Sequence, residues 1–229
     1  MLLTKKVRRP PAAATPVRVS KAAVDDTAPV RRRLPAARRQ QDVVQAVLGL
    51  AVTLDPGAIT TVAIAERVGV THGALFRHFA DKEAIWAAVF GWVSGALGEA
   101  VDRAFREGRD PLDTLGRVFM AHVGFVAEHP GVPRILFHEL QRPGNSAARG
   151  RLRELVLGYR KRLVALLDSA RAARQVDADL DTEAAAVLFI GTVQGIVLQE
   201  TLFARAGSMQ THARRIFPLL LHGYYGARR

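Results

Sequence analysis

Residues 57–82 read GAITTVAIAERVGVTHGALFRHFADK, and this stretch decides the fold. Two short amphipathic patterns lie on either side of Gly69. In the first, Thr60 stands as an N-cap before Ile64, Ala65 and Val68, apolar positions at helical spacing that predict a helix ending near residue 68. In the second, Thr71 caps a helix predicted over residues 72–79. Leu75 and Phe79, four apart, share a face and anchor that helix to a core. The opposite side offers His72, Ala74, Arg77 and His78, with Lys82 opening the next element. Ala65 is small where two helices cross closely, and Gly69 suits a turn with positive φ. A short polar helix held rigidly against a small core is the shape that the DNA major groove admits.

Working outward, Val43, Val44, Val47, Leu48, Ala51 and Leu54 recur at helical spacing and predict a first helix over 37–54, stopped by Asp55-Pro56-Gly57. Asp81 caps a fourth helix that carries Ile85, Trp86, Val89, Phe90, Val93 and Leu97. Asp110-Pro111 is a cap followed by proline at the first helical position, opening a fifth helix to about residue 128 with Phe119 and His122 on its apolar side. Pro130, Gly131 and Pro133 read as a break before a short helix at 135–140. Helices at 147–173, 182–203 and 211–225 complete the chain, with no strand pattern and no internal repeat. The expectation is an all-α fold of about nine helices. A three-helix helix-turn-helix domain at 36–82 precedes a second helical domain at 83–229.

Composition agrees with helices. Apolar residues make up 49% of the 229, but aromatics only 7%, so the core is built largely from Ala, Val and Leu. Without cysteine there is no disulfide framework and no thiolate site. The apolar runs are short and interrupted, so no membrane span is expected. The net charge of +12 is uneven: residues 1–40 contribute +9, residues 41–100 contribute −3 and the rest +6. Residues 1–35 are rich in Pro, Ala and Arg without apolar periodicity and read as a disordered basic arm, either attracting phosphates nonspecifically or merely solvated. They hold no continuous apolar run of a secretory signal, and a cytoplasmic location is expected. No phosphate-binding glycine loop, nucleophile elbow or paired-carboxylate motif stands out, and the histidines form no cluster with metal-ligand spacing. The chain is therefore not expected to be an enzyme or to hold a cofactor or metal.

Thr60, Ile64-Ala65, Gly69-Val70-Thr71, Gly73, Leu75, Phe79 and Lys82, in this order and spacing, resemble the TetR family of transcriptional regulators. The resemblance covers residues 37–90 well and the remainder only in helix count and plan. It implies that a homodimer binds a palindromic double-stranded operator through Thr60, Thr61, Thr71, His72, Ala74, Phe76, Arg77, His78 and Lys82. Hydroxyls of Thr60 and Thr71 suit phosphate oxygens, and Arg77 suits either a guanine or a phosphate. One departure is Phe76, where the family usually has tyrosine; losing a hydroxyl–phosphate bond costs about 1 kcal/mol per site.

The resemblance also places a sensing pocket among the later helices. Trp86, Phe90, Phe119, His122, Phe125, Phe137 and His138 are its candidate lining, with ordinary core packing as the alternative. Phe137 and His138, adjacent on a helix, point about 100° apart and do not suit one site equally. The last two helices pair with their copies in a second subunit, which makes Gly191, Gln194, Gly195, Leu198, Ile216, Leu219, Leu220 and Gly223 dimer contacts; a crossing within one chain is the other reading. The output implied is a repressor released by an unidentified small molecule. The alternative is a ligand-independent DNA-binding protein that acts through protein partners in nucleoid or division control.

Overall fold

The computed structural model describes residues 36–144, 146–203 and 209–225; the basic arm expected at 1–35 lies outside them. Helix α1 (Ala36–Thr53) buries Val43, Val44, Val47 and Ala51, and a 3-10 turn (Pro56–Ala58) then delivers Ile59 to the core. Helix α2 (Thr61–Val68) starts where Thr60 Oγ1 accepts from the Ala63 N–H at 3.1 Å. It stops at Gly69, whose φ of +75° is reached without strain because glycine lacks a Cβ. The Val70 N–H reaches back to the Ala65 carbonyl at 3.0 Å and closes the helix end.

Helix α3 covers only His72–Leu75, shorter than the predicted 72–79. Beyond Leu75 the Arg77 and His78 N–H groups bond three residues back, to Ala74 and Leu75, so the chain tightens out of the α-helix. That tighter turn returns Phe79 to the core as predicted.

Helices α5 (Pro111–Glu128), α7 (Ala147–Ala172), α8 (Thr182–Phe203) and α9 (Met209–Tyr224) follow the sequence pattern within two residues, and α4 (Lys82–Glu107) starts after its predicted cap and runs on beyond Leu97. Asp81 accepts from the Ala84 N–H at 2.7 Å, and Asp110 from both Leu112 and Asp113 at 3.0 Å. Helix α6 (Gly131–Gln141) starts four residues earlier than predicted. Pro130 takes the cap and Pro133 falls in the first turn, where no intrahelical N–H bond is needed, so neither proline breaks it. Among the described residues there are nine α-helices and no strand.

Helix α4 is central and packs on α1, α5 and α7, while α5 also meets α8 and α9. Helix α6 lies between α1 and α7. It approaches α1 at Gly131, where an added Cβ would stand 2.2 Å from the Leu48 carbonyl oxygen. The far end of α6 is tied by Glu139, a buried carboxylate that accepts from Arg142 at 3.1 Å and from Ser146. Arg142 in turn reaches Glu83 on α4 at 3.3 Å. Both ends of α6 are thus fixed, one to α1 and one to the beginnings of α4 and α7.

By length and composition α4 and α8 are apolar enough to cross a membrane, contrary to the expectation of only short apolar runs. In α8 just 28% of the most apolar stretch is buried, although its inner face packs on α5, α7 and α9. The remaining apolar face is open.

A methyl group at Gly131 has no room beneath α1. Gly131→Ala is expected to cost about 1–3 kcal/mol, as overpacking does, and to lower the melting temperature by several degrees. Gly124→Ala on α5, where a Cβ meets nothing within 4 Å, should leave stability unchanged or gain up to about 1 kcal/mol. Calorimetry on the pair checks the α1–α6 contact.

Candidate nucleic-acid interface and ligand cavity

The start of α2 and the whole of α3 form one polar face. Thr60, Thr71, His72 and Arg77 are exposed on it; Thr61, Ala74, His78 and Lys82 are half-buried. Phe76 is 37% exposed. The Thr61 hydroxyl and His72 Nε2 share a hydrogen bond of 2.8 Å that joins α2 to α3. The His72 ring also meets Phe76 edge-on, with centroids 4.9 Å apart. Gln40 on α1 donates to the His78 carbonyl at 3.4 Å. The face is therefore held from three directions: Leu75 and Phe79 below, His72 beside, Gln40 behind. Thr60 and Thr71 use an oxygen lone pair for their caps. Each hydroxyl keeps its proton to donate outward. Arg77 is the one exposed guanidinium on α3 and its following turn.

The seven residues expected around one pocket are divided among three hollows and the core. Trp86, Phe90 and His138 line a cavity of about 210 Å³ between the 56–57 turn, the start of α4 and α6, shared with Lys82. A Cβ at Gly57 would stand 2.9 Å from the His138 ring, which would have to shift to admit it. Phe125 faces a polar groove between α4 and α5. Phe119 is wholly buried between Phe189 and Phe217, at ring separations of 5.3 and 5.0 Å, and lines nothing. His122 and Phe137 line a further cavity, of about 380 Å³. Phe137 and His138 thus face different hollows, as the turn between adjacent helical residues requires.

The 380 Å³ cavity is almost entirely apolar. Leu97, Val126, Leu136, Val156 and Val193, one from each of α4 to α8, wall it. Its polar groups are few, and sequence reasoning missed most of them: Tyr159, Arg149 and Arg153 on α7, and Gln194 on α8, which was assigned to the dimer interface. Arg149 is committed to the carbonyls of Glu139, Leu140, Arg142 and Gly144. Arg153 is exposed and makes no hydrogen bond or ion pair among the described residues. His122 and Tyr159 pack edge-on with centroids 5.4 Å apart. His122 is half-buried as a residue, but its Nδ1, like the Tyr159 hydroxyl, is closed to solvent with no partner. Burial lowers the His122 pKa to about 4 and raises that of Tyr159, so both are neutral near pH 7. Tyr159 was legible in principle: with Leu152 and Leu163 it falls on the inward stripe of α7, as a phenol in an apolar row.

On α8 and α9, Gly191, Gln194, Leu198, Leu219 and Gly223 are exposed and Gly195 and Ile216 half-buried. Leu220 is buried in its own chain, a correction that follows from the 100° turn after the outward Leu219. A Cβ at Gly191, Gly195 or Gly223 would meet nothing within 4 Å, so no crossing within the chain requires these glycines. Beside them lie Leu202 and Phe203, 69% and 66% exposed.

Residues 55–89 match the model of bacterial regulatory proteins of the tetR family, and residues 141–217 match a tetracyclin repressor-like C-terminal domain. The chain belongs to the TetR family. The match extends the resemblance from the reading head into the helices that wall the cavity, and makes the chain a DNA-binding regulator of that family. A similar relative is the nucleoid occlusion factor SlmA of Vibrio atlanticus, 26% identical over 158 residues, which cover 69% of this chain and 81% of that protein. Among solved structures the fold is shared with the fatty acid degradation regulator FadR of Bacillus halodurans (TM-score 0.71, 20% identity, 83% of this chain and 97% of that one). It is shared also with FadR of Bacillus subtilis, solved with stearoyl-CoA (TM-score 0.69, 19% identity, 80% and 98%). By name, two of these relatives are regulators and one is a nucleoid occlusion factor.

The buried imidazole sets a pH dependence. The folded ring takes a proton only near pH 4, whereas the unfolded chain does so near 6.5. The unfolded state therefore binds more protons in that interval. The contribution is fully present above about pH 6.5 and is lost as pH falls towards 4. Melting temperature measured from pH 7.5 to 4.5 should fall more steeply for the natural protein than for His122→Asn; parallel curves would place His122 in solvent.

Proposed function

We propose that this TetR-family protein is a ligand-responsive repressor, located in the cytoplasm, that binds a palindromic operator as a homodimer and is released by a small molecule. Residues 36–82 act as the reading head and residues 83–229 as the sensing and dimerising part. The observation that carries this is the position of α6. One side of it supplies Leu136, Phe137 and Leu140 to the 380 Å³ cavity; another lies against α1 at Gly131 and the 56–57 turn at His138. A ligand that displaces α6 cannot leave α1 in place, since there is no slack at the Leu48 carbonyl. The ligand shifts the equilibrium only by its differential affinity for the two arrangements.

In the reading head, Arg77 reaches a base edge or a phosphate. The Thr60 and Thr71 hydroxyls donate to phosphates, and Thr61 and His72 brace one another. Lys82 adds a charge at the start of α4. The two heads engage successive major grooves about 34–36 Å apart. The open apolar strip of α8 and α9, with its unfilled glycines, is what a second copy covers. The effector is an apolar molecule with an anionic end: the cavity walls take the first and the unpaired Arg153 at its rim the second. A long-chain acyl-CoA, the ligand named for the Bacillus subtilis neighbour, has this chemistry and is the first probe.

A second reading has one observation in its favour. The relation to SlmA spans most of that protein's length, which fits a DNA-binding protein acting on nucleoid or division control through protein partners, with no effector.

Fluorescence anisotropy on the DNA upstream of its own gene, against scrambled DNA, separates these readings. Arg77→Ala should lose about ten- to a hundredfold in affinity if Arg77 reads a guanine. If it holds a phosphate, the salt slope should fall by about one. Stearoyl-CoA should release the operator; undiminished binding at saturating ligand favours the SlmA-like reading. In sedimentation experiments Leu219→Asp should weaken the dimer at least about tenfold and weaken operator binding with it. A variant that remains dimeric contradicts the assigned interface.

A further inference from the structure

The cavity contains two polar groups that folding does not use. The Tyr159 hydroxyl and His122 Nδ1 are each closed off without a partner, on rings that face one another in an otherwise apolar wall. A buried polar atom left unpaired is destabilising, and almost all such atoms in folded proteins find partners. Here the two groups come from different helices, α5 and α7, and converge on the same hollow. Apart from Arg149, Arg153 and Gln194 the lining of that hollow is apolar, so the two rings bring neutral hydrogen-bonding groups together just behind one stretch of its wall.

We propose that His122 and Tyr159 form an oxygen-selecting subsite. The effector is an apolar molecule carrying an uncharged hydroxyl or ketone oxygen along its body, and ligand entry turns the two rings so that their polar atoms meet that oxygen. This deepens the cavity reading given above and rests on it. Both groups are neutral at pH 7, the imidazole because burial keeps it unprotonated and the phenol because burial keeps it protonated. A neutral imidazole carries one donor and one acceptor, and a phenol carries both. Together they satisfy a hydroxyl, which donates and accepts, or a ketone, which accepts. They offer no countercharge, so a carboxylate at this depth would be stranded; the charged end of the ligand belongs at Arg153, on the rim. A plain hydrocarbon chain fills the walls equally well but leaves both groups unpaired. The subsite therefore discriminates by what the plain chain fails to satisfy, the asymmetry by which a polar site rejects a ligand lacking its partner.

Isothermal titration calorimetry on the full chain tests this with stearic acid and with stearic acids bearing a hydroxyl at C3, C10 or C12 or a ketone at C10. The natural protein should bind the best oxygenated chain at least about tenfold tighter than stearate, a difference of about 1.4 kcal/mol. Tyr159→Phe and His122→Leu should shrink that preference to less than about threefold, while stearate affinity stays level or rises. Tyr159→Phe should also keep or raise the melting temperature, since it deletes an unpaired hydroxyl; a merely structural hydroxyl would lower it. Equal affinity for stearate and every oxygenated chain overturns the subsite but leaves the cavity reading standing. A preference that survives both variants likewise overturns it. Failure of all five probes to bind overturns the cavity reading and the subsite together.

Discussion

The constraint on which the rest depends is the passage of α6 under α1, where Gly131 lies against the Leu48 carbonyl with no space for a single methyl group. Protein interiors at this density transmit displacement instead of absorbing it. Helix α1 shares one core with Leu75 and Phe79, and its Gln40 holds the turn after α3 through the His78 carbonyl. Helix α6 carries one wall of the apolar cavity. The reading head and the hollow are therefore separated by one helix, and that helix is fixed at both ends: at Gly131 by contact, and at Glu139 by a buried carboxylate shared between Arg142 and Ser146.

The reading head was legible because its determinants are local. Thr60, Thr71, Asp81 and Asp110 each cap the helix that the sequence assigned to them, and Gly69 takes the left-handed conformation its position demanded. A side-chain oxygen three residues before an N–H, or a glycine after the last apolar position, is recognisable without knowing what packs against it. The two errors of extent have the same origin. Pro130 and Pro133 read as breakers, yet a proline in the first turn forfeits no bond; whether a helix starts before or after it depends on α1 accepting Gly131. Helix α3 stops at Leu75 because Phe79 has to return to a core contributed by other helices.

The cavity was far less legible. Aromatic residues on α4, α5 and α6 were its natural candidates, but the phase of each helix sends Phe119 to the core, Phe125 to a surface groove and Trp86 to a smaller hollow. The groups that give the apolar hollow its chemistry, Tyr159 and Arg153, sit on α7, whose pattern reads only as a long amphipathic helix. Nothing in the local sequence distinguishes a tyrosine whose hydroxyl has a partner from one whose hydroxyl has none. Similarly, the openness of α8 becomes visible only once the other helices are placed and its outer face remains uncovered.

The central claim is that occupancy of the cavity changes the separation of two reading heads. Because the chain has no cysteine, a single Glu66→Cys substitution on the exposed side of α2 gives one spin label per subunit. The distance between labels can then be measured by double electron–electron resonance with operator DNA, without it, and with stearoyl-CoA. The account predicts one narrow distance with DNA and a distinct, shifted distribution when stearoyl-CoA fills the cavity. A single unchanged distribution under all three conditions, or no intersubunit distance at all, would contradict it.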